Sequence, residues 1–332
     1  MIFQLKSNVC QKMLCCIFLC AIFITILAGC SPKNQPVTYN GYYFNTVISL
    51  TFYNEDDAKL SEECFQLCKT YENMLSRTME GSDIWNINHS NGMPVSISEE
   101  TYTLLAEALY YCEFTNGKID ITIAPLMDAW NFTDEGKEQI PPTQEEIETL
   151  LSHVDYTQIE LTENNTVTLK DPEASIDLGF IAKGYIADKL KEYLVSQGVT
   201  SALINLGGNV CAIGNKPDGS TYTIGIQEPF APTGTTLTTT TLSDSSAVTS
   251  GTYERGFTYD NVYYHHILNT DTGYPANNDL VSVTILCESS MQADALSTTC
   301  FVLGKEHALE YIKSLENVEC ILIDSEGNVH YS

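Results

Sequence analysis

The central part of the sequence, residues 201–289, contains several segments that read as strands and no apolar pattern of helical period. These segments include SALINLGGNVCAIG (201–214) and DLVSVTILCES (279–289), in which apolar and β-branched residues alternate or run together. Helical spacing of apolar residues occurs on either side of this part, at 182–197 and 290–304. Runs of strands with helices inserted, rather than strict alternation of strand and helix, predict an α+β fold.

The rest of the chain adds further helices and strands to this prediction. The stretch TGTTLTTTT fits either an edge strand or a flexible loop. Ser98 and Thr143 stand at the starts of apolar helical patterns and are expected to cap them, as is Ser289 or Ser290. The predicted elements are a strand at 42–53, helices within 57–76, 98–116, 143–154 and 305–316, a strand at 118–132 that breaks at Pro125, strand–turn–strand at 167–179, and a closing hairpin at 318–332.

The N-terminal segment has the features of a bacterial lipoprotein leader. Lys6 and Lys12 precede an apolar run that ends in LAGC, with the cysteine at Cys30. We therefore expect a signal peptide at 1–29, lipidation of Cys30, a lipid-anchored tether at 30–40, and one domain at 41–332. The alternative is an uncleaved membrane anchor. In either case the domain is expected at the cell membrane, facing outside the cytoplasm.

The composition excludes one class of partner. The chain has 43 acidic and 16 basic residues and a formal net charge of −27. It therefore lacks the positive charge that would neutralise phosphates over a broad surface, and nucleic-acid binding is not expected. An anionic ligand would need a local device such as a metal ion, a helix N-terminus or a few placed cations.

The cysteines do not form a recognisable redox or metal motif. Buried free thiols are the expected state, with a metal-binding cluster as the alternative. The seven cysteines after Cys30 are Cys64, Cys68, Cys112, Cys211, Cys287, Cys300 and Cys320.

Two glycine-containing motifs could approach a ligand closely. In DLGFIAKGYIADKL, Asp177 ends a strand, Gly179 allows a turn, and Lys183 stands near a predicted helix start at Ile181. This arrangement suits an anionic or nucleotide ligand, although a lysine there could equally be a solvated surface residue. NLGGNV, 205–210, could bring backbone close to a ligand or simply form a hairpin turn.

Two further motifs carry side chains suited to catalysis or metal binding. His265 and His266 are adjacent, so on a strand only one of them can face a given site. Asp294 and Thr298 lie four residues apart on a predicted helix and could supply hard oxygen ligands for Mg²⁺, or simply hydrogen-bond each other.

Taken together, DLGFIAKGYIAD, INLGGNV, TSGTYERGF, YHHILNTDTGYP and SVTILCESSMQADALSTTCFVLG resemble the ApbE family of FAD:protein FMN transferases in order and spacing. TNGKIDITIAPLMDAWNF also matches, and the resemblance runs from about Tyr43 to Gly304. It implies a two-lobed α+β fold with FAD bound in the cleft between the lobes. Members of the family are often periplasmic or lipid-anchored, which agrees with LAGC.

The resemblance implies roles for individual residues. Asp177 and Lys183 would hold the adenosine end of FAD, remote from the reacting phosphorus, and His266 rather than His265 would be the catalytic histidine near the flavin and phosphate. The Mg²⁺ ligands would be the Phe180 carbonyl, Asp294 and Thr298. The remaining implied FAD contacts are Phe44, Thr78, Lys118, Ile119, Asp120 and Leu268.

Some positions depart from the family pattern. Phe44 replaces a methionine, and Thr78 stands where an aromatic contact is usual. Asn269 and Thr270 replace the aspartate and proline of the family's DPxTG turn. These changes leave the implied metal site intact and put the flavin-ring contacts and the turn in doubt.

The implied reaction is Mg²⁺-dependent cleavage of FAD. A threonine of a partner flavoprotein would attack the FMN phosphorus, AMP would leave, and FMN would remain attached through a phosphoester bond. The implied partners are flavin-carrying subunits of membrane electron-transfer complexes. Two alternatives remain: a pyrophosphatase that converts FAD to FMN and AMP, and a non-catalytic flavin-binding lipoprotein.

Overall fold

The computed structural model describes residues 35–133 and 139–332, and its centre is an eight-stranded antiparallel sheet. The strand order is β1-β2-β6-β7-β10-β13-β14-β15, with two two-stranded sheets (β8-β9 and β11-β12) and a three-stranded sheet (β3-β5-β4) beside it. The strands are β1 Val37–Tyr43, β2 Thr46–Phe52, β3 Val95–Ser96, β4 Ile159–Thr162, β5 Thr166–Leu169, β6 Ser201–Leu206, β7 Asn209–Gly214, β8 Tyr222–Gln227, β9 Thr236–Leu242, β10 Ser246–Gly251, β11 Gly256–Tyr259, β12 Val262–His265, β13 Leu280–Cys287, β14 Glu319–Asp324 and β15 Val329–Tyr331.

Helices pack on this sheet and complete the predicted α+β fold. Ser98, Thr143 and Ser289 each stand just before a helix and accept a hydrogen bond from the backbone N–H three residues later. The predicted caps Ser98 and Thr143 are therefore confirmed, and the third cap is Ser289 rather than Ser290. The helices are α1 Ser61–Leu75, α2 Asp83–Asn88, α3 Glu99–Phe114, α4 Ala124–Trp130, α5 Gln144–Leu151, α6 Ala182–Ser196, α7 Ser290–Leu303 and α8 Lys305–Ser314. In the described part of the chain, no helix combines the length and apolar character needed to cross a membrane.

The first predicted strand is in fact a hairpin. Phe44 and Asn45 both adopt positive φ, 54° and 56°, so the chain reverses between β1 and β2. A two-residue turn with both central residues in this region matches the twist of the flanking strands. Because β1 begins at Val37, the sheet starts inside the segment predicted as a tether. An edge strand exposed to solvent needs few apolar residues, so its composition did not distinguish it from a linker.

Residues 118–132 contain a helix where a strand was predicted. Only Ile123 makes a strand-like contact, an isolated parallel bridge to Ser175, and α4 follows directly. Pro125 lies in the first turn of α4 and therefore opens the helix rather than breaking a strand, because the first helical N–H groups have no partner within the helix. The second strand expected within 167–179 is likewise reduced to the bridge at Ser175. The prediction also missed the short helix α2.

Two of the four apolar cores in the described residues contain predicted site residues, Ile119 in the larger and Leu268 in the smaller. The larger lies between the main sheet and α1, α3, α6 and α7, and includes Ile48, Leu50 and Phe52 on alternate positions of β2. The smaller is aromatic and is built around Trp130, whose indole N–H donates to the Gly273 carbonyl at 2.8 Å. Gly207 and Gly208 form the turn of the β6–β7 hairpin. Thr236–Leu242 is a strand paired with β8, so the threonine-rich stretch is a strand rather than a flexible loop.

Candidate functional site

The segment that follows Asp177 forms a tight turn into α6, as predicted. The Asp177 N–H donates to the Ile121 carbonyl at 2.8 Å, and the Gly179 N–H donates to Asp177 Oδ1 at 2.6 Å. The carboxylate thereby fixes the turn that leads to α6, which begins at Ala182. One oxygen of Asp177 is used by its own loop, and the other is left for a partner.

Arg77 is that partner, and no sequence pattern predicted this pair. Its Nε lies 2.8 Å from Asp177 Oδ2, and its Nη1 lies 2.7 Å from Asp128 Oδ1 on α4. Arg77 therefore joins the end of α1, the loop before α6, and α4. The neighbouring Thr78, an implied FAD contact, is exposed, and its N–H donates to Ser76 Oγ at 3.3 Å.

Asp294 is the buried carboxylate at the crossing of α6 and α7. It is only 2% exposed, and its Oδ2 accepts a 2.8 Å hydrogen bond from the Gly184 N–H. Its Oδ1 lies 3.3 Å from Lys183 Nζ. Lys183 therefore reaches the expected metal ligand Asp294, while Asp177 pairs with Arg77.

Gly184 makes this crossing possible. A Cβ atom at this position would lie 2.7 Å from both Asp294 Cβ and Met291 Cα, and it would also collide with the Ser290 carbonyl. Only glycine lets the two helix backbones approach closely enough for the Gly184 N–H to reach the carboxylate.

The hydrogen bond from Gly184 to Asp294 satisfies a backbone donor in the first turn of α6. Gly184 is the third residue of α6, and the N–H groups of a first helical turn have no partner within the helix. Phe180 precedes the N-cap residue Ile181, and in the described part of the chain no backbone N–H donates to its carbonyl. A carbonyl without a donor at this position is suited to bind a cation.

Thr298 supplies a hydroxyl one turn beyond Asp294. Its Oγ1 lies 3.0 Å from Ser250 Oγ, so it does not serve merely as a hydrogen-bond partner of Asp294. Asp294, Thr298 and the Phe180 carbonyl offer hard oxygen donors, which suit Mg²⁺. Within residues 35–133 and 139–332, no group of three or more His, Cys, Asp or Glu side chains could hold a metal ion. A cation at Asp294 would therefore rely on carbonyl and hydroxyl ligands.

The two adjacent histidines have different environments. His265 is 8% exposed, and its Nε2 lies 3.0 Å from the Ala276 carbonyl, so it belongs to the core. His266 is partly exposed, and its Nδ1 lies 3.2 Å from the Arg255 carbonyl. A ring that donates through Nδ1 keeps a lone pair on Nε2. Partial burial of the ring, followed by the nearby Arg255 charge, lowers the pKa of His266, so the ring is neutral at neutral pH.

The implied flavin contacts lie on loops that are tied to one another. Lys118 is exposed, whereas Ile119 is buried. Asp120 points inward, where Thr122 and the Tyr156 N–H donate to it, and burial raises its pKa. A ligand could thus meet Asp120 only through its backbone. Thr270 Oγ1 donates to the Gly117 carbonyl at 2.7 Å. This hydrogen bond links the 269–273 turn to the loop that contains Lys118.

The remaining implied contacts are a turn residue and a core residue. Phe44 sits at the tip of the first hairpin, where its N–H donates to Glu72 Oε1 at 2.7 Å. Leu268 is buried in the smaller aromatic core. Asn269 accepts hydrogen bonds from the N–H groups of Asp271 and Thr272, so it closes the turn as the family's aspartate would.

All seven cysteines after Cys30 are buried free thiols, as predicted. Cys30 itself lies outside the described residues.

Comparisons with known proteins agree with the motifs. A family model described as the ApbE family matches residues 44–322. An FAD:protein FMN transferase of Klebsiella pneumoniae (strain 342) is 34% identical over 298 residues, which cover 89% of this chain and 92% of that protein. The ApbE protein of Thermotoga maritima has a TM-score of 0.82 at 31% identity, covering 90% of this chain and 97% of that chain. The flavin transferase ApbE of Vibrio cholerae has a TM-score of 0.78 at 28% identity, covering 90% and 96%.

Proposed function

Since the chain belongs to the ApbE family, we propose that it is an FAD:protein FMN transferase that depends on Mg²⁺ and modifies a threonine of a partner flavoprotein. The threonine oxygen forms a bond to the FMN phosphorus, the phosphorus–oxygen bond to AMP breaks, and AMP leaves with the bridging oxygen. The observation that carries the proposal is the buried carboxylate of Asp294, which stands one helical turn before the Thr298 hydroxyl and accepts the N–H of Gly184, four residues after Phe180.

Asp294, Thr298 and the Phe180 carbonyl would hold the metal. Bound Mg²⁺ would neutralise negative charge on the pyrophosphate oxygens. The chain itself contributes the fixed position of the ligands: Gly184 orients Asp294, and Ser250 holds Thr298 from the facing strand β10. The net charge of −27 makes local positive charge necessary for any pyrophosphate that enters.

His266 would take the proton of the attacking hydroxyl. Its ring is neutral because its pKa is lowered, and the lone pair on Nε2 can accept a proton. His265 cannot serve, because its ring is buried and Nε2 is engaged with the Ala276 carbonyl. This assigns the two histidines different roles, structural for His265 and catalytic for His266.

FAD would bind in the cleft that the family resemblance implies. Asp177 and Lys183 would meet its adenosine end, and Phe44, Thr78, Leu268 and the Lys118–Asp120 loop its flavin end. The acceptors would be flavin-carrying subunits of membrane electron-transfer complexes. The enzyme would work at the cell membrane outside the cytoplasm, anchored through lipid on Cys30.

The test combines the purified protein, FAD and Mg²⁺ with an acceptor whose threonine is intact or changed to valine. Flavin fluorescence on a denaturing gel reports covalent FMN, and chromatography reports AMP. Transfer that requires the threonine and releases AMP supports the proposal. AMP released at the same rate without acceptor would make the protein a pyrophosphatase, and FAD bound without cleavage would make it a carrier.

Asp294→Asn tests the metal site within the same assay. Loss of an anionic ligand that stabilises the transition state should lower kcat about a hundredfold, or about 3 kcal/mol. Asp279→Asn is the matched control, because Asp279 pairs with Lys305 at the surface. A wild-type enzyme that remains fully active in EDTA, or an Asp294→Asn variant with the wild-type rate at low Mg²⁺, would refute the magnesium mechanism.

A further inference from the structure

Lys183 occupies an environment of oxygen atoms. Its Nζ lies 3.3 Å from Asp294 Oδ1 and 3.5 Å from the Gly179 carbonyl oxygen. Glu254 also lies near enough for its charge to interact with both Lys183 and Asp294. The ammonium group is thus the cation that faces the buried carboxylate.

The two oxygens of Asp294 are not equivalent. Oδ2 is committed to the Gly184 N–H, a bond set by the close crossing of α6 and α7. Oδ1 is the oxygen that a metal ion could use, and Lys183 is bound to it. An unpaired buried carboxylate is strongly unfavourable, which explains why a lysine is held here.

We propose that Lys183 is a placeholder cation: its ammonium competes with the divalent ion for Asp294 Oδ1 and must leave before the metal can bind. This inference rests on the proposed metal site. An ammonium group and a divalent ion at the same carboxylate oxygen repel each other, so the two cations compete for Oδ1. A pyrophosphate at the site would offer the displaced ammonium a new anionic partner. FAD and Mg²⁺ should therefore each increase the affinity of the protein for the other.

The test measures Mg²⁺ binding by calorimetry in the absence of FAD, so it does not depend on catalysis. Lys183→Met removes the competing charge and should bind Mg²⁺ at least about tenfold more tightly than wild type. Lys183→Arg keeps the positive charge and should bind Mg²⁺ as weakly as wild type. Lys170→Met is the matched control, because Lys170 is an exposed lysine paired with Glu160 at 3.2 Å, and the Mg²⁺ affinity of this variant should equal that of wild type.

Thermal unfolding provides a second readout. In EDTA, Lys183→Met should unfold at a lower temperature than wild type, because Asp294 loses its partner, and Mg²⁺ should raise its Tm more than it raises that of wild type. If Lys183→Met does not fold, Lys183→Gln, purified in the presence of Mg²⁺, replaces it in both measurements. Adding FAD should strengthen Mg²⁺ binding in wild type and have a smaller effect in Lys183→Met.

Two failures are distinguishable. If wild type binds Mg²⁺ and Asp294→Asn does not, but Lys183→Met binds no more tightly than wild type, the placeholder role is wrong and the metal site stands. If wild type, Asp294→Asn and Lys183→Met all fail to bind Mg²⁺ with and without FAD, both the placeholder role and the proposed metal site are wrong.

Discussion

At the scale of single residues, Arg77 controls the geometry of Asp177. One guanidinium joins two carboxylates from different parts of the chain, at 2.8 Å to Asp177 and 2.7 Å to Asp128. Its planar arrangement of donors suits such a bridge, which a lysine ammonium cannot reproduce. The adjacent negative charges of Asp177 and Asp128 raise the pKa of Arg77 against the opposing effect of burial, so the bridge remains charged. Arg77 is therefore a positioning residue for the proposed adenosine contact.

Arg77→Lys should weaken FAD binding more than turnover. The bridge lies at the end of FAD that is remote from the reacting phosphorus, so its loss should raise KM about tenfold and leave kcat within about twofold. Steady-state FMN transfer and quenching of flavin fluorescence measure both quantities. Lys59→Gln breaks an exposed ion pair with Asp56 and is the control. A normal KM with a collapsed kcat would instead place Arg77 at the phosphorus.

Residue-scale prediction from sequence worked where partners are close together in the chain. Asp177 and Gly179, or Asp294 and Thr298, are separated by at most one helical turn, so their spacing implies their relative positions. Arg77 and Asp177 are a hundred positions apart, and Lys183 and Asp294 are more than a hundred apart. These pairs depend on how α1, α4, α6 and α7 pack, which no local pattern encodes.

At the scale of elements, the α6–α7 crossing builds the site. Asp188 on α6 accepts hydrogen bonds from the Ser290 and Met291 N–H groups and from Ser289 Oγ, so α6 caps the start of α7. Gly184, one turn earlier, provides the close contact at Asp294. The two helices are thus held in register at two successive turns, and the position of Asp294 relative to Phe180 follows from that register.

Gly184→Ala should separate these helices. The added Cβ has no room against Met291 and Asp294, so overpacking should cost about 2–3 kcal/mol of unfolding free energy despite alanine's better helix propensity. Urea denaturation measures the loss, and calorimetry should show weaker Mg²⁺ binding. Ser196→Ala, in the exposed last turn of α6, should change stability by less than about 0.5 kcal/mol. Wild-type stability and Mg²⁺ affinity in Gly184→Ala would contradict this account.

The prediction of secondary structure was wrong where the composition of a segment does not match the structure that it adopts. Helix α4 was read as a strand because ITIAP has β-branched residues, yet only Ile123 makes a bridge before the helix begins. Strand β1 was read as a tether because its edge position leaves it mostly exposed. In both cases tertiary packing, rather than local propensity, decides the state of the segment.

At the scale of the whole molecule, the charge determines how the protein can associate with a membrane. A net charge of −27 repels the anionic lipids that attract basic proteins, so electrostatic attachment is disfavoured. Within residues 35–133 and 139–332, no helix is able to span a bilayer. The proposed attachment uses the segment that contains Cys30, either through lipid on that thiol or through the apolar run that precedes it.

Cys30→Ala distinguishes these possibilities in cells. If lipid on Cys30 provides the anchor, the variant should leave the membrane fraction or accumulate unprocessed, while Ser31→Ala should behave as wild type. High salt should leave wild type on the membrane and detergent should release it, because hydrophobic burial of acyl chains rather than charge holds it. The released enzyme should keep its activity on a soluble acceptor, since Asp294 and Lys183 lie in the folded domain. Mass spectrometry of wild type should show loss of Met1 and a lipid-modified Cys30. An unmodified protein that retains Met1 would instead indicate the uncleaved apolar anchor.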